Sequence, residues 1–156
     1  MKTPGTIISE QAYAQGKMLD HSEWHGLLPR GATPSDIDML IANRKKMIFV
    51  EFSRNCDDWE QLNTGQCWLY EDIVRNGAGK VIAALLQHSV PTDRTVRTIS
   101  DVERFQIMYL SETSEIKTTQ TFETENGFWW RWFVEQWVID DTAAVQMLVQ
   151  NEKGNQ

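Results

Sequence analysis

Apolar residues recur along this chain with two different periods, and the changes of period divide it into elements. Alternation rules 35–53, where two segments rich in Ile, Met, Val and Phe, 35–42 and 46–53, flank the polar turn Asn43-Arg44-Lys45. That spacing predicts a β-hairpin. On it, Asp36, Asp38 and Leu40 share one face of the first strand, and Phe49, Glu51 and Ser53 share one face of the second. Over 57–76 the period lengthens, because Trp59, Leu62, Gln66, Leu69, Tyr70 and Ile73 recur at three- and four-residue steps. Asp57 or Asp58 can cap a helix there, and Asn76-Gly77 ends it. The apolar run 81–86, bounded by Gly79 and Pro91, suits a buried strand over 80–90, although its periodicity also fits a second helix.

Upstream of the hairpin, 8–20 reads as a helix with Ser9 as cap, weakened at Gly16 by up to about 1 kcal/mol relative to alanine. A strand-like piece over 23–28 leads through Pro29-Arg30-Gly31 and Pro34 into the hairpin. Downstream, 104–110 alternates as a strand. Asn126-Gly127 signals a hairpin turn, but Trp129, Trp132, Phe133, Gln136 and Trp137 fit one helical face, and we read a helix there and another over 142–150. No repeat or linker interrupts the chain. The expectation is a single domain over 1–156.

Charge narrows the chemistry. Fifteen Lys and Arg against 22 Asp and Glu give a formal net charge of -7 over 156 residues, which excludes a surface that grips phosphates throughout. Two cysteines, Cys56 and Cys67, are too few for a disulfide framework, a four-cysteine zinc site or an iron–sulfur cluster, and read as reduced thiols. With no signal-like N-terminus and no long apolar run, the expected location is the cytoplasm, with no membrane partner.

Two carboxylates facing each other on adjacent strands make a seat for Mg²⁺ or Mn²⁺, which take oxygen ligands and keep several waters. Taken alone, Asp36 and Asp38 read first as solvent-facing residues of an amphipathic strand and only second as ligands. The order of elements adds to the picture. Pro34-Ser35-Asp36-Ile37-Asp38-Met39-Leu40, then Ile48-Phe49-Val50-Glu51-Phe52-Ser53, then Gln66-Cys67-Trp68-Leu69-Tyr70 resemble, in that order, the acidic motif, the strand ending in Glu-x-Lys and the Gln-x-x-x-Tyr helix motif of the PD-(D/E)XK nuclease superfamily, in its RecB-like and Cas4-like branch.

The resemblance covers about residues 8–90 and leaves the Trp-rich tail outside it. It implies an α/β fold with a restriction-endonuclease-like core, a central mixed sheet flanked by helices in the order α-β-β-β-α-β over about 8–112, followed by an aromatic-rich extension over about 113–156. It implies Asp38 as principal metal ligand, Glu51 as second ligand, Asp36 as fallback ligand, and Gln66 and Tyr70 as helpers near the phosphate. Glu10 would be a further acid and His21 or His25 an upstream ligand, each with a plain surface role as the alternative. The family's lysine falls at position 53, where this chain has Ser53, which cannot carry charge at neutral pH. Lys17 and Lys80 are the candidate substitutes, and Arg54 points to the other face if the strand is regular.

The expected function is a metal-dependent nuclease acting on DNA, with RNA left open and a phage or other mobile element as the source. The alternative is a degenerate nuclease fold serving as a binding or inhibitory module. Trp129, Trp130, Trp132 and Trp137, interleaved with only Arg131, read first as core or as a homodimer or protein-partner interface, and second as a base-stacking surface.

Overall fold

The computed structural model describes residues 37–43, 45–56, 58–88 and 99–154, with side chains to residue 150. All fall in one compact unit, Ile37–Val90 and Arg97–Gln156. The helix expected over 8–20, the strand over 23–28, and Glu10, Lys17, His21, His25 and Asp36 lie outside the described residues.

Strands β1 (Met39–Ala42), β2 (Met47–Ser53), β3 (Val81–His88), β4 (Val102–Leu110), β5 (Ile116–Thr118) and β6 (Phe122–Glu123) form one open mixed sheet among the described residues. The order is β1-β2-β3-β4-β5, with β6 also paired to β4. β2 and β3 run parallel and the other pairs antiparallel. Helix α1 (Thr64–Asn76) makes the crossover between the parallel strands, and α2 (Phe128–Ile139) and α3 (Asp141–Gly154) follow the last strand. The chain is thus an α/β protein with a mixed sheet flanked by helices.

Strand parity sorts the side chains into two layers. On one face Tyr70 and Val74 of α1 pack with Trp59 on Ala83, Leu85 and Met108. On the other, Trp130, Phe133 and Trp137 of α2 and Leu148 of α3 close over Ile48, Val50, Ile82 and Ile107. The aromatic helix after residue 113 therefore forms a whole layer of the described core. Buried on both sides, β3 reads as an uninterrupted apolar run, as a central parallel strand should.

The expected hairpin forms. Asn43 Oδ1 accepts from the N–H groups of Lys45 and Lys46, both at 2.9 Å, which closes the turn. The helix expected from 57 starts later, because two caps compete for the segment. Asp58 caps only the short 3-10 turn Trp59–Gln61, Leu62 is extended, and Asn63 caps α1 by accepting from Gln66 N–H at 2.9 Å. β5 and β6, of three and two residues, carry too little pattern to be read from sequence. Asn126-Gly127 adopts the left-handed backbone its sequence signals, with φ 50° and 68°, but uses it to enter α2 rather than to turn a hairpin. Lys46 then clasps the α2–α3 junction, donating to the Trp137 carbonyl and pairing with Asp141, both at 3.0 Å. Among the described residues no helix is long and apolar enough to cross a membrane.

Two left-handed glycines separate backbone strain from steric conflict. A Cβ on Gly79 (φ 80°) would meet nothing within 4 Å, whereas one on Gly127 (φ 68°) would stand 1.9 Å from the Ile99 carbonyl oxygen. Urea unfolding should show Gly79→Ala costing about 1 kcal/mol from strain alone and Gly127→Ala at least about twice that. Equal losses would mean that the Ile99 contact is not tight.

Candidate functional site

Glu51 is a buried carboxylate in the middle of a sheet, 8 % exposed, and such a group needs donors to offset its lost hydration. Helix α1 supplies them. Gln66 Nε2 donates to Glu51 Oε1 at 2.9 Å and Tyr70 Oη donates to Glu51 Oε2 at 2.7 Å. The four-residue spacing puts both donors on one helix face. Asn63 reinforces this by capping the helix and by donating its own amide to Gln66 Oε1 at 2.6 Å, which orients the Gln66 side chain. Beneath Tyr70 lies Trp59, with ring centroids 5.1 Å apart, and Trp59 N–H donates to the buried Gln106 Oε1 at 2.8 Å. The pairing register places Glu51, Leu85 and Gln106 in one row across β2, β3 and β4.

Asp38 stands just before β1. Its Oδ2 accepts from Phe52 N–H at 2.8 Å, so the side chain takes a ladder position at the end of the hairpin. Since Met39 pairs with Val50, one further step along the ladder puts Asp38 opposite Glu51. Tyr70 reports on both acids. Its hydroxyl pKa is raised, first by burial, then by the hydrogen bond to Glu51 and by the negative charges of Glu51 and Asp38. The structure thus brings Asp38, Glu51, Gln66 and Tyr70 together, with Gln66 and Tyr70 gripping the acid itself.

Ser53 has a different occupation. Its Oγ accepts from Asn55 N–H at 3.3 Å and Cys56 N–H at 2.8 Å, which turns the chain out of β2. Of the substitutes for a lysine at this position, Lys80 lies at the opposite end of the sheet, where its carbonyl accepts from Met47 N–H. Arg54 is exposed in the bend after β2. Sequence reading missed Arg104, which the register Ser53–Gln87–Arg104 places on the same face two strands away. It pairs with Glu123 at 3.6 Å. Gln87 between them keeps a buried Oε1 with no hydrogen-bond partner among the described residues. The alternation of 104–110 already sets Arg104 beside Gln106, but only the strand order shows which end of β4 meets Ser53.

Among the described residues no group of three or more His, Cys, Asp or Glu is placed to hold a metal ion. What is assembled is a pair of carboxylates, one buried and hydrogen-bonded, the other exposed at the rim. Two carboxylates with water completing the shell is a donor set that suits Mg²⁺. No known protein family, curated protein or solved structure matches the chain.

Tyr70→Phe removes one donor from Glu51 and should cost about 1–3 kcal/mol of stability at neutral pH. Because the folded pKa of Tyr70 lies above the ordinary value of about 10, the native state holds this proton more tightly than the unfolded chain. The stabilisation is complete below about pH 10 and is lost as pH rises beyond it, so the stability gap between wild type and Tyr70→Phe should narrow in alkali. A tyrosinate absorbance titration in which Tyr70 ionises at its ordinary pH would show that the hydrogen bond to Glu51 is not made.

Proposed function

We propose that this chain is a metal-dependent nuclease of the PD-(D/E)XK type that acts on DNA, with weak activity. The observation that carries the reading is the hydrogen-bonded grip of Gln66 and Tyr70 on Glu51, with Asp38 opposite it on the neighbouring strand. These residues belong to three separate stretches of sequence whose order resembles that family. The succession hairpin, helix, parallel strand in β1-β2-α1-β3 supports a restriction-endonuclease-like core.

Asp38 and Glu51 are the residues that would hold Mg²⁺ or Mn²⁺. A bound ion would supply a lowered pKa for the attacking water and charge stabilisation for the phosphodiester. Gln66 and Tyr70 are positioning residues. They hold the Glu51 carboxylate in one orientation by donating one hydrogen bond to each of its oxygens. Ser53 leaves the site without the family's fixed positive charge, and its hydroxyl is committed to the turn. That same commitment favours a second reading, a degenerate nuclease fold that binds without cutting.

A cleavage assay on supercoiled, linear and single-stranded DNA, with Mg²⁺ and with Mn²⁺, separates the two. Slow cleavage by wild type should disappear in Asp38→Asn and in Glu51→Gln. Ser53→Lys restores a charge whose loss typically costs roughly 10²–10³ in rate, and should cut faster per folded molecule. No cleavage by wild type or by Ser53→Lys on any substrate would leave the binding module.

A further inference from the structure

Charge at the acid pair does not balance without a cation. A divalent ion cancels the two negative charges of Asp38 and Glu51, and a phosphodiester drawn to that ion brings another, which grows as water attacks. Arg104 and Lys117 are the only basic residues on the described strands. Lys117 pairs in register with Tyr109, which packs in the core of the opposite face. Arg104 shares the face of Glu51. It stands in the next row of the ladder, Ser53–Gln87–Arg104, two strand spacings or roughly 10 Å from Ser53.

Cross-strand neighbours flank this arginine on both sides. Toward β6, Glu123 holds the guanidinium in an ion pair at 3.6 Å, and the Glu123 side chain is 83 % exposed. Such a pair is screened by water and stabilises little. Toward β3, Gln87 keeps a buried Oε1 that has no hydrogen-bond partner among the described residues. Buried acceptors are nearly always satisfied, so this one requires an explanation. Arg104 is directly opposite, with Cβ atoms about 5 Å apart in such a pair, and its guanidinium carries donors only. Passing from Glu123 to Gln87 would satisfy the acceptor and bring the charge one strand closer to Ser53 and the acids.

We propose that Arg104 is the phosphate-binding cation of the site, held on Glu123 in the free protein and carried across Gln87 Oε1 toward the Asp38–Glu51 pair when a phosphodiester binds there, which rests on the nuclease reading of that pair. The guanidinium fork matches two phosphate oxygens and stays charged at any pH the protein meets. Gln87 is a positioning residue, since it acts on the substrate through Arg104. Weak cleavage follows from the same arrangement, because the charge is shared with Glu123.

Cleavage of supercoiled, linear and single-stranded DNA with Mn²⁺, measured on the full chain per folded molecule, tests this. Arg104→Gln should slow cleavage roughly tenfold or more while binding Mn²⁺ no more weakly than wild type by calorimetry, since it removes no oxygen ligand. Adding Ser53→Lys should restore the lost rate, and its gain should be larger in the Arg104→Gln background than in wild type, because the two cations serve one phosphate. Glu123→Gln frees the guanidinium from an exposed pair and should speed cleavage by up to about fivefold. Gln87→Leu should slow cleavage yet melt no lower than wild type, because it removes an unsatisfied buried acceptor. A glutamine with a merely structural role would lose activity and melting temperature together. Arg104→Gln cutting as fast as wild type, or equal gains from Ser53→Lys in both backgrounds, overturns the role of Arg104 and leaves the acid pair as the nuclease centre. So do Glu123→Gln and Gln87→Leu variants whose rates fail to move in opposite directions. No cleavage by wild type, Ser53→Lys or Glu123→Gln on any of the three substrates overturns the nuclease reading itself, and this role with it.

Discussion

The grip of two helix side chains on one buried carboxylate ties the layers of this protein together. Glu51 sits in the sheet with little access to water, where an ionised carboxylate without donors would cost several kcal/mol. Tyr70 and Gln66 supply those donors only if α1 starts at Asn63 and lies across β2 and β3 in one rotation about its axis. A helix rolled by one residue would present Gly65 and Leu69, or Cys67 and Glu71, to the acid. The polar pair thus sets the register of an otherwise apolar contact between Tyr70, Val74, Ala83 and Leu85.

Much of this was legible in the sequence because it depends on period. Alternation in 35–53 gave the hairpin and the common face of Asp38 and Glu51, and the three- and four-residue steps gave the helix face shared by Gln66 and Tyr70. The contact itself was not legible, since no local pattern shows that Gln66 and Tyr70 hydrogen-bond to Glu51. The start of α1 was missed because Asp58 and Asn63 are equally good caps in isolation, and the Trp59 N–H bond to Gln106, 47 residues away, helps decide which of them opens a 3-10 turn. Arg104 was missed because its nearness to Ser53 depends on the order of strands rather than on any local pattern.

The tryptophans divide along similar lines. Trp130 and Trp137 fill the second core and meet the expectation that aromatics at helical spacing are packing residues. Trp129, at the first turn of the same helix, stays half exposed. Periodicity alone does not separate these roles, since the helix begins only after the left-handed Asn126-Gly127 pair sets its angle against Ile99.

The central claim is that Asp38 and Glu51 together form a seat for a hard divalent cation, and a calorimetric titration with Mn²⁺ tests it most directly. Wild type should bind one ion. Asp38→Asn and Glu51→Gln should each abolish the heat of binding, while Gln66→Ala, which loosens Glu51 without removing an oxygen ligand, should weaken affinity by roughly 10–100-fold. Unchanged Mn²⁺ affinity in folded Asp38→Asn and Glu51→Gln would contradict the account.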